Sequence, residues 1–310
     1  MLQFQVSHAS GYMRYANFYE AIPRLSLVPA APRVLVFGCS TGQELNTVRF
    51  FMPDAQIFGC DITEAVIAEA QRTAPHAEVF LSTDEAIAAR GPFDLVCANS
   101  VLCRHPFPAE PYCDVLPPAD FERLLSLIVR NLAPGGLLLA YNCNYVIDDF
   151  DLAADLTPIT LSSAWTGSFV PRVTLAGTVV ARPTVREKEL MRYVIDRDYF
   201  ADGMGRLQTA LFRNAPGPRR HLSVDTIAHH DFPPHQLTEA ELAGVPGGDQ
   251  YTYVRLEETV HGHRFTALVV YDPIVGAWVP WHASSRPVEP EPAARAAPTP
   301  STPAATGMPG

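Results

Sequence analysis

Three small residues, Gly38, Ser40 and Gly42, follow directly after a run of four apolar residues, 34–37. A helical pattern opens immediately afterwards, at Gln43. Glycine lets the backbone turn and approach a ligand closely, and the free N–H groups of a first helical turn point toward an anion. A buried strand that runs through small residues into a helix N-terminus therefore predicts a ligand pocket.

Three kinds of site are possible for residues 38–44, and two of them fit the sequence poorly. A dinucleotide site requires G-x-G-x-x-G, but Ser40 and Gln43 occupy its second and third glycine positions. The segment Gly38-Cys-Ser-Thr-Gly42 fits the G-x-S-x-G nucleophile elbow of α/β-hydrolases, with Ser40 as the nucleophile. That elbow normally follows several strands, because an earlier loop supplies half of the oxyanion hole, whereas here it follows the first predicted strand. A serine hydrolase is therefore the alternative interpretation.

The third kind of site binds S-adenosylmethionine. The segment 38–42 resembles motif I of the class I S-adenosylmethionine-dependent methyltransferases, with Ser40 in place of the middle glycine. The run Cys-Ser-Thr-Gly-Gln-Glu, residues 39–44, is also similar to the Ser-Thr-Gly-Glu-Glu segment of the chemotaxis-receptor glutamate methyltransferases. The family's acid two positions before the first glycine is Val36 here. The contact of that acid with the cofactor's amino group must therefore be lost or supplied elsewhere.

Three later segments fit the same family in order. Asp61 ends the second predicted strand, 56–61, where nucleotide-binding α/β folds place an acid that accepts both ribose hydroxyls. The alternative explanation for Asp61 is that it caps the next predicted helix, 64–72. The segment 93–102 resembles the family's motif IV strand, which ends beside the methyl group. The run Leu-Ala-Pro-Gly-Gly, residues 132–136, precedes an apolar strand, 137–142, as it does in the family.

The resemblance implies S-adenosylmethionine as the cofactor, together with the residues that bind it. Asp84 stands where the family places an acid that meets the adenine amino group, although a helix cap explains it nearly as well. The other cofactor-binding residues that the resemblance implies are Phe37, Gly38, Cys39, Ser40, Thr41, Gly42, Glu44, Asp61, Ile62, Asn99 and Ser100. His105 is the candidate base if the acceptor must lose a proton, and the run 142–145 is expected at the mouth of the site.

Strands and helices alternate from about residue 30 to 145, which predicts an α/β fold with a doubly wound, mostly parallel sheet. This is the Rossmann-like fold of the methyltransferases, here with a small C-terminal β-rich extension. The predicted parts are a helical segment 1–28, a cofactor-binding domain 29–200, a β-rich extension 201–285 and a disordered Pro/Ala-rich tail 286–310. Within them, we expect strands six and seven at 169–175 and 191–196, and an antiparallel meander between 225 and 282.

The N-terminal segment 10–26 carries aromatic residues at helical spacing. Tyr12, Tyr15, Tyr19 and Ile22 share one predicted face. One interpretation is a helix packed on the sheet, and the other is a lid over the cofactor, since related enzymes place an N-terminal helix there.

Composition limits the partners. The formal net charge of −10 argues against a nucleic acid, so the acceptor is expected to be a small molecule or a protein side chain. We find neither an apolar run long enough to span a membrane nor a signal peptide. Six cysteines without a C-x-x-C pair indicate reduced, mostly buried thiols of a cytoplasmic protein.

Two further interpretations concern metals and activity. Histidines cluster at 229, 230 and 235 and again at 261 and 263, but no ligand spacing accompanies them, so no metal is predicted. A non-catalytic protein that binds the cofactor remains an alternative to the enzyme, because Val36 replaces the family's acid.

Overall fold

The computed structural model describes residues 5, 10–11, 14–104, 107–108, 111–161, 170–187, 190–201 and 205–222, and three strands between 253 and 287. Strands and helices alternate in its first half, as the sequence predicts. In chain order these elements are α1 (Ala16–Arg24), β1 (Arg33–Phe37), α2 (Gln43–Phe51), β2 (Gln56–Asp61), α3 (Glu64–Thr73), β3 (Glu78–Leu81), α4 (Asp84–Ala88), β4 (Phe93–Cys97), α5 (Tyr112–Val115), α6 (Pro118–Arg130) and β5 (Leu132–Leu139).

The second half consists mostly of strands. Two 3₁₀ turns, Ile147–Asp149 and Asp151–Asp155, come first. They are followed by β6 (Thr157–Leu161), β7 (Arg172–Val173), β8 (Val179–Glu187), β9 (Leu190–Ile195), α7 (Gly205–Gln208), β10 (Leu211–Arg213), β11 (Arg220–Leu222), β12 (Tyr253–Val260), β13 (His263–Asp272) and β14 (Ala277–Pro287).

Eight strands form the main sheet, in the order β11-β6-β10-β5-β4-β1-β2-β3. The central strand β1 pairs in parallel with both β2 and β4, and β10 runs antiparallel to its neighbours β5 and β6. The predicted fold class, a mostly parallel doubly wound sheet, is therefore confirmed.

Side chains of β1 alternate between two apolar cores. Leu35 and Phe37 face a core that contains Phe121 of α6, whereas Val34 and Val36 face a core that contains Leu45 of α2. A strand that is buried on both faces reads as a continuous apolar run, which explains residues 34–37.

This topology brings several polar residues to one edge of the sheet. The parallel strands β1, β2, β4 and β5 all end at the same edge. Helices α2 and α6 cover opposite faces, so the order of the strands reverses between β1 and β4. Ligands of such sheets bind in the crevice outside the carboxyl ends, at this switch point.

The helical segment at the N-terminus packs on the sheet. Tyr15, Phe18, Tyr19 and Ile22 are buried in the same apolar core as Leu45. Their spacing of three and four residues places them on one face of α1. The interpretation of this segment as a packed helix therefore holds, and Tyr12 lies outside the described residues.

The predicted positions of strands six and seven are wrong. Beyond β5, the next strand of the sheet is β10 (211–213), which pairs with β5 on one side and with β6 (157–161) on the other. The edge strand β11 pairs in parallel with β6. The segment 191–196 instead contributes to β9, in a separate sheet of order β7-β8-β9. Of the segment 169–175, residue 169 is not described and 172–173 form β7 of that second sheet. The main sheet thus continues past the predicted boundary at residue 200.

The C-terminal strands form the predicted antiparallel meander. Strand β13 pairs with β12 on one side and with β14 on the other. The tail from residue 288 onward, and histidines 229, 230, 235 and 261, lie outside the described residues.

All six cysteines are free thiols, and five of them are buried. The prediction of unpaired, mostly buried cysteines is confirmed. Within the described ranges, no helix combines the length and the apolar character that crossing a bilayer requires. No group of three or more potential metal ligands occurs among those residues either.

Candidate functional site

The turn after β1 has an unusual backbone. Gly38, Ser40 and Gly42 all adopt positive φ, at +72°, +48° and +93° respectively. The N–H groups of Gly38 and Cys39 both donate to the carbonyl oxygen of Cys60, at 2.8 and 2.9 Å. Positive φ disfavours residues with a side chain, so two of these three positions carry glycine.

Close contacts also require glycine in this turn. A Cβ atom at Gly38 would lie 2.6 Å from Cγ2 of Val101, which follows β4. A Cβ atom at Gly42 would lie 3.0 Å from the Cα atom of Ala70 in α3. The turn is therefore packed directly against the neighbouring strand end and helix, and this leaves its backbone at the carboxyl edge of the sheet.

Asp61 ends β2 beside this turn. Its Oδ2 atom accepts the N–H of Ser40 at 3.0 Å, and its Oδ1 atom accepts the N–H of Thr63 at 3.1 Å. The residue is buried. Each carboxylate oxygen has a second lone pair, so the two backbone bonds fix the carboxylate and leave it able to accept from a ligand.

Glu44, in the first turn of α2, joins three elements. Its Oε1 atom accepts hydrogen bonds from the Tyr19 hydroxyl of α1 and, at 2.7 Å, from Nδ2 of Asn99 at the end of β4. Burial raises the pKa of the Glu44 carboxyl above its ordinary value of 4.5, and the bonds from Tyr19 and Asn99 partly oppose that rise.

Polar groups also meet at the ends of β4 and β5. The hydroxyl of Tyr15 lies 2.7 Å from Oγ of Ser100, and Nδ2 of Asn142 donates to the same oxygen at 2.7 Å. Ser100 and Asn142 both adopt positive φ, at +56° and +61°. Such strained residues concentrate at functional sites, so this pair marks the second half of the crevice.

The remaining predicted residues next to the turn and to Asp61 lie in three kinds of surroundings. Phe37 and Cys39 are buried in the apolar cores, and burial raises the pKa of the Cys39 thiol well above its ordinary value. Thr41 donates to Oε1 of Gln43 at 2.7 Å. Ile62, directly after Asp61, is partly exposed.

The structure does not place Asp84 and His105 with the other predicted site residues. Asp84 begins α4 with a half-exposed side chain, 3.9 Å from Arg123, and the neighbouring Thr83 supplies the helix cap. The structure thus gives Asp84 a surface ion pair, and its predicted contact with adenine stays a prediction. His105 lies outside the described residues.

The sequence places Tyr15 and Tyr19 on one helix face but does not predict their polar contacts, and it does not single out Arg172. The hydroxyls of Tyr15 and Tyr19 reach Ser100 and Glu44, so α1 contributes polar groups as well as apolar packing. Arg172 of β7 donates to the carbonyl oxygen of Cys143, just past β5. A lone arginine in an aperiodic region carries no sequence signal.

Residues 35–138 match a family model described as a methyltransferase domain. Over 134 residues the chain is 32% identical to a trans-aconitate 2-methyltransferase of Methylobacterium nodulans, and this covers 42% of the chain and 47% of that protein. It is also 32% identical over 123 residues to a protein of the same name from Variovorax paradoxus, which covers 38% of the chain and 41% of that protein. The chain thus spans about half the length of these curated relatives.

A solved S-adenosylmethionine-dependent methyltransferase of Clostridium acetobutylicum covers 91% of the chain and 76% of its own length, at 9% identity. Its TM-score of 0.34 is too low to support an argument.

The fold and the glycine-rich turn define a nucleotide-binding α/β domain. The family match describes residues 35–138, from β1 into β5, as a methyltransferase domain. The predicted class and its cofactor, S-adenosylmethionine, are therefore confirmed, whereas a serine hydrolase at Ser40 finds no support.

Proposed function

We propose that this chain transfers the methyl group of S-adenosylmethionine to a small-molecule acceptor at the carboxyl ends of β4 and β5. The observation that carries the proposal is the pairing of the glycine-rich turn with Asp61. The two relatives named above are both named for a small-molecule acceptor. The net charge of −10 is also unfavourable for a nucleic-acid acceptor.

The residues of the first half of the crevice fit the cofactor. Asp61 is held by two backbone N–H groups and can accept the paired hydroxyls of a ribose. The positive φ of Gly38 and Gly42 lets the turn's backbone follow a path that residues with a side chain disfavour, which is typical of turns that a ligand approaches closely. Glu44 supplies a carboxylate on the other side of the turn, where an amino group can pair with it.

Glu44 also accounts for the acid missing at Val36. The Val36 side chain is buried in an apolar core, so a carboxylate there would lack a polar partner. Glu44 reaches the end of β4 from α2 instead, and its Oε2 atom accepts no hydrogen bond from the described residues. We therefore assign to Glu44 the contact that the family's acid makes.

Asp61 and the glycine-rich turn would hold S-adenosylmethionine, which would supply an electrophilic methyl group and keep the bonding electron pair on its sulfur. The protein's part is to align the acceptor and exclude water. Helix α1 serves this end, because Tyr15 and Tyr19 enclose the ends of β4 and β5. A base is required only for an acceptor that must lose a proton, and His105 remains the candidate for that role.

The test is calorimetry of S-adenosylmethionine binding to the wild type and to Asp61→Asn. The substitution keeps the shape of the side chain but removes its charge, and it sets an NH₂ group against a backbone N–H. We expect a loss of about 1.5–3 kcal/mol, on the order of a 10- to 150-fold weaker Kd.

Asp94→Asn is the matched control. Asp94 also accepts a backbone N–H, from Arg33 at 2.8 Å, but it lies near the opposite end of the strands. Its substitution should leave the cofactor's Kd unchanged. Equal Kd values for Asp61→Asn and the wild type would contradict the role of Asp61, and a wild type that binds no cofactor would contradict the proposed function.

We also propose a cytoplasmic location, as the sequence predicts. Its support is that all six cysteines are free, as is usual in a reducing compartment.

A further inference from the structure

Arg172 is a buried cation for which the described part of the chain supplies no carboxylate partner. The residue is only 5% exposed, and its NH1 group donates to the carbonyl oxygen of Cys143. Among the residues that the structure describes, no carboxylate lies within ion-pair distance of its guanidinium. Burial of an uncompensated charge is unfavourable by several kcal/mol, so natural proteins pair such charges with a partner or a ligand.

The ionisable neighbours of Arg172 do not balance its charge. Arg172 lowers the pKa of the thiols of Cys103 and Cys143, but burial acts more strongly and raises both values to about 12. Both thiols are therefore neutral near pH 7. Neither thiol therefore supplies a negative charge that would balance the guanidinium of Arg172.

The chain fixes Arg172 at the carboxyl edge of the main sheet. The N–H of Val173 donates to the carbonyl oxygen of Asn144 at 2.8 Å, and Nδ2 of Asn144 donates to the carbonyl oxygen of Pro171 at 2.8 Å. These two bonds tie β7 to the segment that follows β5. Arg172 is therefore held against Cys143, next to the crevice that we assign to the acceptor.

Asn142 provides an independent observation at the same place. It is fully buried, and its Nδ2 group donates to Ser100. Its Oδ1 atom is also buried, and no donor in the described part of the chain reaches it. A buried acceptor without a partner is unfavourable by about 1–3 kcal/mol, which indicates that a ligand supplies the donor.

A second arginine adds positive charge to this side. The guanidinium of Arg14 lies 5.4 Å from the centre of the Tyr15 ring, and its charge lowers the pKa of Cys103. Arg14 and Arg172 thus act on the same thiol. The acceptor side of the crevice is locally cationic, although the whole chain carries a net charge of −10.

From this arrangement we infer an acceptor subsite for a small carboxylic acid. The guanidinium of Arg172 pairs with the carboxylate, and Oδ1 of Asn142 accepts a hydrogen bond from a hydroxyl or N–H group of the same molecule. The inference rests on the proposed function and names the class of its acceptor. Arg172 and Asn142 both lie outside the matched residues 35–138, so the subsite is a feature of this chain beyond the family match.

The experiment measures methyl transfer from labelled S-adenosylmethionine to a defined panel of acids. The panel contains trans-aconitate and hydroxylated and unhydroxylated mono-, di- and tricarboxylic acids, each with its primary amide. We expect the wild type to use acids and not their amides. Arg172→Gln should raise KM for the best acid on the order of 10- to 100-fold with little change in kcat, because one charge-assisted pair is lost.

Two variants serve as references. Arg172→Lys keeps the charge without the planar fork and should raise KM by less than Arg172→Gln does. Arg182→Gln removes the same charge from an exposed position on β8 and should leave KM unchanged. Calorimetry of S-adenosylmethionine on every variant should give the wild-type Kd, which separates the acceptor subsite from the cofactor site.

Several results would overturn the subsite. One is a wild type that binds S-adenosylmethionine but methylates none of the acids, or methylates acids and amides equally; this leaves the cofactor site intact. Another is an Arg172→Gln variant that retains the wild-type KM. If Arg172→Gln does not fold, Arg172→Lys and the wild-type preference for acids over amides decide the question instead.

Discussion

The two halves of the crevice differ in how their polar groups are satisfied. On the cofactor side, both oxygens of Asp61 accept backbone N–H groups. On the acceptor side, Oδ1 of Asn142 has no donor and Arg172 has no carboxylate among the described residues. The family match covers Asp61 and ends before Asn142 and Arg172.

This difference reflects the different origins of the residues that bind the cofactor and of the residues that bind the acceptor. A cofactor shared by a whole family is bound by short-range geometry: a turn, the residue that ends the next strand, and backbone N–H groups. An acceptor differs from one enzyme to another, so its groups come from segments added to the sheet. The charge of Arg172, which no described carboxylate balances, and Oδ1 of Asn142, which no described donor reaches, support the proposed position of such a ligand.

Gly38→Ala should have the largest effect, and it should impair the cofactor-binding half of the crevice. The new methyl group would lie 2.6 Å from Cγ2 of Val101, on a residue with φ of +72°. We expect a destabilisation of about 1–2 kcal/mol from the backbone and a further ~1–3 kcal/mol from overpacking. Cofactor binding should be lost, as calorimetry and urea unfolding can show.

Gly135→Ala is the control for the backbone contribution. Gly135 has φ of +74°, but a Cβ atom there would meet nothing within 4 Å. Its destabilisation should therefore be limited to about 1–2 kcal/mol. In a Val101→Ala background, the nearest remaining side-chain atom to the new methyl is Cβ of that residue, at 3.5 Å. Gly38→Ala should then destabilise less, and an unchanged penalty would show that the contact with Val101 is not the cause.

The sequence predicts the first half of the crevice well, because the interactions there are local. The apolar run 34–37, the small residues after it and the acid that ends β2 all follow from periodicity and spacing. Gly38, Ser40 and Asp61 lie together as expected, with Ser40 bonded to Asp61. The C-terminal meander follows from strand patterns in the same way.

The parts that the sequence does not predict depend on contacts between distant segments. Strand β10 has only three residues and is defined by its pairing with β5 and β6. The bond between Tyr19 and Glu44 likewise depends on how α1 packs. Arg172 lies near the crevice because β7 is hydrogen-bonded to the segment that follows β5, through the N–H of Val173 and the carbonyl oxygen of Asn144. No periodic pattern in the sequence predicts that contact.

Glu44→Gln tests the residue that links the two halves. The pKa of the Glu44 carboxyl is raised in the folded protein, so the folded state binds this proton more tightly than the unfolded state. Stability from this group is therefore present below the ordinary pKa of 4.5 and is lost as pH rises through the folded pKa. A glutamine at this position keeps an oxygen that accepts the hydrogen bonds of Tyr19 and Asn99. Because glutamine does not ionise, the variant does not lose this stability as pH rises.

The difference in unfolding free energy between Glu44→Gln and the wild type should thus grow in favour of the variant as pH rises from the ordinary pKa of 4.5 toward the raised pKa of the folded protein. The same variant should bind S-adenosylmethionine on the order of tenfold more weakly, because a charge-assisted contact is lost. A variant that gains stability but keeps full affinity would show that Glu44 does not replace the acid missing at Val36. A pH-independent difference would contradict its raised pKa.

Ser40→Gly should have the smallest effect. Ser40 adopts φ of +48°, where a serine is strained by about 1–2 kcal/mol and a glycine is not. Glycine also gains freedom in the unfolded chain, which offsets about 0.5–1 kcal/mol of that relief. The net gain should be about 0–1.5 kcal/mol, a rise in Tm of a few degrees at most. The N–H that Ser40 donates to Asp61 belongs to the backbone, so cofactor affinity should stay within about twofold of the wild type.

Ser40→Ala separates the backbone from the hydroxyl, since it removes the hydroxyl and keeps the strain. If the role of residue 40 lies in its backbone, Ser40→Ala should be less stable than Ser40→Gly and bind the cofactor equally well. Methyl transfer should also persist in both variants, because a nucleophilic serine has no part in it. Loss of cofactor binding in both variants would instead make the hydroxyl a ligand. In that case the cofactor side would depend on the side chain at residue 40, the one glycine position of the family's motif that carries a different residue in this chain.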